Sequence, residues 1–350
     1  MQSYTEWVET LVDRRECIRR VLRGERSERL PRALFGAGLW AYRLTGLKIE
    51  DLNKNPVRFA GTLADFFGDL DTDIIFAGSG LNTFPAEAVG GALAFRGEQA
   101  PLLSFPLIQK AEDARYLERV DIASSPHTLA LVEMIRLLRE RLPDRFLCAT
   151  SWGPFTWAMI LCDWGLLREK TMTDRTFIRE VCELGVRLSI ALFGPLMEQG
   201  LIDGISIPEG AVTLIPPDLY REVVLPCERK LFEWVKERGT GCFLHQCGDI
   251  RPQLALYPET LADCISVDVG VPIGEVYELY RDRLVTAGNV DVVNIIFGGD
   301  PSVLCKAVSH CVAQISDPWR KYILMPSCDL PPATPLRNVK EFLACADRIY

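Results

Sequence analysis

His245 and Cys247 stand one residue apart in Phe243-Leu244-His245-Gln246-Cys247-Gly248-Asp249, and Cys328 follows 81 positions after Cys247 in Met325-Pro326-Ser327-Cys328-Asp329-Leu330-Pro331. An imidazole and two thiols are ligands that zinc takes, and three of them leave a fourth position for water, a carboxylate or a substrate sulfur. Such an open site does chemistry, where four protein ligands would only hold a fold together. If 241–247 is a strand, its period of two sends the His245 and Cys247 side chains to one face. A second reading stays open at this point, since the chain has 12 Cys and a buried free Cys is a common small hydrophobe. Both segments end apolar runs at Gly or Pro, as strands do where they deliver side chains to the mouth of a barrel.

The elements that must position these residues alternate. Short β-rich runs at Asp73–Ala77, Phe146–Thr150, Gly204–Ile207, Gly241–His245, Cys264–Val267, Leu284–Ala287 and Tyr322–Met325 are separated by helical patterns such as Asp174–Gln199, Asp218–Arg238 and Pro301–Ile315. With an eighth strand expected around Leu102–Leu107, these βα units close into a (β/α)8 TIM barrel. An open doubly wound sheet is the alternative, but the Gly-rich phosphate turn is missing after its first strand. Gly78-Ser79-Gly80 reads as a tight strand-to-loop turn rather than a nucleotide cradle. We expect residues 1–70 to form a helical N-terminal extension packed on the barrel, and 71–350 to form the barrel as a single domain. Met1 to Glu25 has Trp7, Leu11 and Ile18 spaced for one helix face.

Composition narrows the function. The 350 residues are 48% hydrophobic and 25% charged, enough for a full core. A net charge of −8 without a basic stripe argues against nucleic-acid binding. No run of eighteen apolar residues lacks a charge, and the N-terminus does not read as a signal peptide. A cytoplasmic protein that does not engage a membrane is the expectation, its Cys reduced and disulfides not expected. Oligomeric state is left open.

With these residues laid out, the chain resembles the uroporphyrinogen decarboxylase superfamily, and within it the zinc-dependent methylcobamide:thiol methyltransferases of the coenzyme M type. The likeness runs from about Leu30 to Ile349 and rests on Ser151-Trp152-Gly153-Pro154-Phe155-Thr156, Leu244-His245-Gln246-Cys247-Gly248, Ala287-Gly288-Asn289-Val290-Asp291 and the stretch from Cys328 to Asn338. It implies a (β/α)8 barrel. The tetrapyrrole decarboxylases carry Arg-Gln-Ala-Gly-Arg-Tyr where this chain has Phe35-Gly36-Ala37-Gly38-Leu39-Trp40, an Asp where it has Gly78, and a His where it has Cys328. Each departure removes an acid, base or anion-holding group, and the last supplies a metal ligand.

The resemblance implies that His245, Cys247 and Cys328 hold zinc and that a methyl group moves between a cobamide, carried on a small corrinoid-binding partner protein, and a thiol. On the same scaffold a methyl ether or methylamine donor, or a decarboxylase reaction, is the alternative. Asp268 is the first candidate for a fourth ligand or for a hydrogen bond to His245, with Glu209 second. Asn289 is expected to line the cavity, and Asp291 to do so or to cap a helix. Trp152, directly after a strand, is expected to wall the corrinoid. Cys242 is assigned to helix packing by parity, and His127 and His310 to surface or cap positions.

Overall fold

The apolar runs pair in chain order around a single ring. In the computed structural model, which describes residues 13–117 and 125–349, the strands are β1 (Ile74–Ala77), β2 (Leu93–Ala94), β3 (Leu102–Leu103), β4 (Phe146–Thr150), β5 (Gly204–Pro208), β6 (Gly241–Gln246), β7 (Cys264–Val267), β8 (Val285–Val290) and β9 (Tyr322–Pro326). Seven of them form one parallel sheet in the order β1-β4-β5-β6-β7-β8-β9. Helices on the outside join each strand of this sheet to the next, which is why these seven strands are largely buried along both faces and read as apolar runs.

The eighth wall position is not at Leu102–Leu107. Leu102–Leu103 pairs antiparallel with Leu93–Ala94 in a separate two-stranded ribbon, and that ribbon belongs to the excursion after β1. The gap between β9 and β1 is filled from the N-terminal side instead. Arg32 bridges Leu324 and Ala33 bridges Ile74, both in the parallel sense. Leu324 N–H donates to Pro31 C=O at 2.8 Å, Ala33 N–H to Leu324 C=O at 2.9 Å, and Asp73 N–H to Arg32 C=O at 2.8 Å. The ring therefore closes as a (β/α)8 TIM barrel, with two bridged residues standing in for a strand.

Two apolar layers follow from the pleat. Ala33, Phe35, Ile74, Phe76, Phe146, Cys148, Phe243, Val285, Ile323 and Met325 fill the barrel interior, and a larger cluster lies between strands and helices. Ile18 and Val21 belong to the interior cluster. Their helix, Arg14–Leu22, thus stoppers the end of the barrel opposite the strand C-termini. Its basic side holds it there, because Arg15 and Arg19 meet the buried Asp203 at 2.6 and 2.8 Å, together with Arg139 at 2.5 Å. Trp7 and Leu11 lie outside the described residues.

Helix boundaries follow local chemistry. The Asp174 side chain accepts from Phe177 N–H at the start of Arg175–Glu198, and Pro217 opens the next helical run, as its locked φ favours. Gly78 and Gly80 take φ of +85° and +81°, the tight turn expected after β1. One expectation fails outright: Cys305, on helix Pro301–Val312, is disulfide-bonded to Cys345, on helix Leu336–Cys345. These two helices lie side by side, an adjacency that spacing along the chain does not reveal.

Cutting Ile18 to Ala removes a plug side chain from a fully buried site. The expected cost is about 2–5 kcal/mol, read as a lower denaturation midpoint with metal content unchanged.

Candidate metal centre

β6 carries His245 inward at the strand end, and Cys247 follows on the same face just beyond it. The parallel register sets His245 beside Ser266 of β7, and Ser266 Oγ lies 2.9 Å from His245 Nδ1. With Nδ1–H donating to that hydroxyl, the Nε2 lone pair is directed away from it. His245 Nε2 is 3.2 Å from Cys247 Sγ, and Cys247 Sγ is 3.6 Å from Cys328 Sγ on the loop after β9. All three donor atoms fall within 4.8 Å of one another. A tetrahedral zinc with ordinary Zn–S and Zn–N bonds spaces its ligand atoms by about 3.5–3.8 Å, so the donor set fits that ion.

The ring of His245 is fixed from a second side. Phe35 stacks on it with centroids 3.9 Å apart, and Phe76 meets Phe35 edge-on at 5.2 Å. Phe35 comes from the same N-terminal segment that closes the barrel. Two residues on, Ala37 N–H donates to Asp329 Oδ1 at 2.7 Å. Gly36 has φ of +64°, and a Cβ there would fall inside the Asp329 carboxylate. Desolvation pushes the Asp329 carboxyl up to about 7, against the pull of that N–H.

The two sulfurs are electrostatically coupled across 3.6 Å. The hydrogen bond with Cys247, helped by His245, draws the Cys328 thiol well below its ordinary range, while the same bond, burial and the charge on Cys328 push Cys247 up. Two thiolates side by side in a half-buried site repel each other, so only one ionises until a cation balances the second.

Asp268 stands outside the ligand group. Its carboxylate accepts from Gly248 N–H at 3.1 Å and from Val269 N–H at 2.7 Å; the partner of His245 is Ser266, not Asp268. Glu209 is fully buried and faces the helix Pro154–Leu161, accepting from Phe155 N–H at 2.9 Å, Thr156 N–H at 2.7 Å and Thr156 Oγ1 at 2.6 Å. Its carboxylate satisfies a helix N-terminus, although burial pushes its pKa up to about 7. A Cβ on Gly153 would collide with that carboxylate, which accounts for the glycine. Asn289 spends its amide on Asp268 C=O at 3.0 Å and Val271 C=O at 2.9 Å, tying the loop after β7 to β8. Trp152 is half-buried with Nε1–H on Thr83 Oγ1 at 3.1 Å. Asp291 caps the turn after β8 through Val293 and Asn294 N–H groups. Cys242 is buried against Phe232 of the helix layer. His127 is half-buried on Glu87 at 2.8 Å.

Sequence reasoning missed Ser266 and Phe35. Ser266 shares the inward parity of Asp268, and a register count from His245 would have found it; Phe35 left no signal beyond its place in the barrel-closing segment. A second close trio of donors, Cys305, Glu341 and Cys345, holds no open ligand set, because its sulfurs are bonded together and Arg348 pairs with Glu341 at 2.8 Å.

The model of the uroporphyrinogen decarboxylase (URO-D) family matches residues 13–349. The chain belongs to that family. It is 25% identical over 252 residues to a methylcobamide:CoM methyltransferase of Methanosarcina acetivorans, covering 71% of this chain and 72% of that one. It is also 25% identical over 266 residues to a uroporphyrinogen decarboxylase of Streptomyces coelicolor, covering 74% and 69%. A solved methyltransferase from Methanosarcina mazei superposes with a TM-score of 0.81 at 20% identity, over 96% of this chain and 98% of that one, which supports the fold.

Metal content is the direct test of this candidate centre. About one zinc per chain is expected in the parent and none in Cys247→Ala or Cys328→Ala. Ser266→Ala, which frees the imidazole to swing, is expected to weaken zinc affinity about 10–100-fold in a chelator competition. Retention of zinc by both Cys variants would break the assignment.

Proposed function

We propose that this URO-D family member is a zinc-dependent corrinoid methyltransferase, moving a methyl group between a cobamide on a partner protein and a small thiol. The carrying observation is the convergence of His245 Nε2, Cys247 Sγ and Cys328 Sγ at the open end of the barrel. The similarity to methylcobamide:CoM methyltransferases supports the same reading.

His245, Cys247 and Cys328 would hold the ion. When bound, zinc supplies the Lewis acidity that ionises a coordinated thiol at neutral pH. Ser266 and Phe35 hold the imidazole in one orientation. Two Cys ligands bring negative charge that keeps a neighbouring sulfur electron-rich. The balance of the reaction is simple: the S–C bond forms as the Co–C bond breaks, the Co–C pair remains on cobalt to give cob(I)amide, and the thiol proton goes to solvent. The decarboxylase reading finds no basic clamp here, since the segment around Phe35 brings a ring to His245 and a backbone N–H to Asp329.

A carrier protein would approach the strand C-termini, where Leu214, Val269, Val293 and Phe297 are exposed on the segments after β5, β7 and β8. An apolar rim around a reactive mouth suits a transient protein contact. No helix among the described residues is long and apolar enough to cross a membrane, so this rim is not the flank of such a span.

Zinc-loaded parent is expected to convert methylcobalamin and a small thiol to thioether and cob(I)alamin, followed by the corrinoid absorbance and by mass spectrometry. Cys247→Ala and Cys328→Ala should fall by at least about 100-fold, the equivalent of several kcal/mol of lost charge stabilisation. Absence of transfer from the zinc-loaded parent to any thiol would refute the reading. A Val293→Asp, Phe297→Asp double variant is expected to raise KM for a protein-carried corrinoid while leaving the rate with free methylcobalamin unchanged. Equal effects on both donors would remove the rim from the docking face.

A further inference from the structure

We propose that Cys305 and Cys345 form a thiol–disulfide exchange site, in which Cys305 is the sulfur that an external dithiol meets and Arg348 is the cation that stabilises its thiolate. The site lies apart from the metal centre and is independent of the methyl-transfer reading.

The pair differs in kind from the rest of the chain's sulfur. Ten of the 12 Cys are free, most of them buried, whereas Cys305 and Cys345 are bonded to each other across the helices Pro301–Val312 and Leu336–Cys345. Exposure makes the two unequal: Cys305 is half-buried and Cys345 is 1% exposed, so a reagent in solution reaches Cys305 first. Charge makes them unequal in the same sense. Arg348 Nη1 lies 2.9 Å from Cys305 Sγ and 2.8 Å from Glu341 Oε1. That carboxylate is 3.5 Å from Cys305 Sγ and 3.7 Å from Cys345 Sγ, and the guanidinium offsets it on the Cys305 side. A cation beside a sulfur favours the thiolate, the form that attacks a disulfide and the form that leaves one.

An approach to Cys305 is present. Ser309 and Val312 stand four and seven positions beyond it on the same helix, hence on the same face, and with Ile315, Trp319, Arg348 and Ile349 they line a surface cleft of about 470 Å³. Arg348 belongs to both the cleft and the bridge. An apolar wall with one cation suits a small thiol that carries a carboxylate.

In reduction, a thiolate of the dithiol attacks Cys305 Sγ. A mixed disulfide forms there as the bond to Cys345 breaks, and Cys345 leaves with the electron pair and takes a proton. The second thiol of the dithiol then attacks its own bound sulfur and releases Cys305 as a thiolate beside Arg348. The dithiol gives up two electrons and two protons, one proton ending on Cys345 and the other in solvent, and an external disulfide runs the steps backwards. The bridge spans a sequence separation of 40 that includes β9 and Cys328, so its opening removes a tether from that part of the wall.

The experiment maps the state of each Cys by mass spectrometry in the full-length protein. Oxidised glutathione is expected to close the Cys305–Cys345 bridge and dithiothreitol to open it, with circular dichroism unchanged. Cys305 in a Cys345→Ser variant should form a mixed disulfide with oxidised glutathione at least about tenfold faster than Cys345 does in Cys305→Ser. In the Cys345→Ser background, Arg348→Leu should slow alkylation of Cys305 by iodoacetamide at neutral pH at least about fivefold, the effect of one charge near a surface. Arg348→Lys should keep most of the rate, and Glu341→Gln, which breaks the same ion pair but leaves the cation, should not slow it. A pair that stays unbridged in oxidised glutathione, a faster Cys345, or an alkylation rate unchanged by Arg348→Leu overturns the proposal.

Discussion

Two sulfurs 3.6 Å apart, with an imidazole nitrogen 3.2 Å from one of them, form at the end of a barrel an arrangement that resists its own assembly. Two thiolates at that separation repel each other unless a cation balances the second charge. Covalent connectivity holds His245 and Cys247 together through a strand end; Cys328 arrives from the far side of the ring, on the loop after β9. The closeness of the trio therefore depends on the barrel being shut. An open sheet would leave β9 three strands from β6 along one edge, with nothing to curl Cys328 back over the mouth.

Barrel closure and site assembly are consequently one event. Residues 31–33 complete the ladder between β9 and β1, and the chain that continues from them puts Phe35 on His245 and Ala37 N–H on Asp329. The same segment that satisfies the last unpaired strand edges thus fixes the ring of one ligand and the neighbour of another. At the opposite end, Ile18 and Val21 fill the barrel floor in the same buried apolar cluster as Phe35, Phe76, Phe146 and Phe243, in which Phe35 meets Phe76 and Phe146 meets Phe243 edge-on. The ordering of the mouth is built on that dry interior, since packed rings hold a side-chain rotamer more firmly than solvent does.

Much of this was legible in residue order, for physical reasons that can be separated. Seven strands were visible because strands buried on both faces are apolar throughout and bounded by turn residues. The H-x-C pair was visible because a period of two makes alternate residues neighbours. The eighth wall position was not, since two bridged residues containing Arg32, preceded by Pro31, carry no strand signature, whereas Leu102 and Leu103 do and form a ribbon elsewhere. Glu209 and Asp268 looked equivalent as acids at strand ends. Their fates diverge because Glu209 meets a helix N-terminus across the barrel top and Asp268 meets the Gly248 N–H, and neither partner is fixed by local sequence. Ser266 shares its parity with Asp268, so only the register of β6 against β7 selects it as the partner of His245.

The stretch Phe35-Gly36-Ala37-Gly38 shows how a family scaffold changes task without changing shape. Where the resembled decarboxylases carry basic side chains for holding carboxylates, this chain places an aromatic ring against His245, and under the zinc-binding role proposed above a cation beside that ring would oppose the binding of another. Phe35 supplies orientation with no charge. Gly36 supplies room, because its left-handed backbone brings the chain against Asp329 where any side chain would collide. With no basic side chain in the stretch, the ring of Phe35 packs on His245 and the backbone N–H of Ala37 meets Asp329, so this corner orients its neighbours by packing and one hydrogen bond.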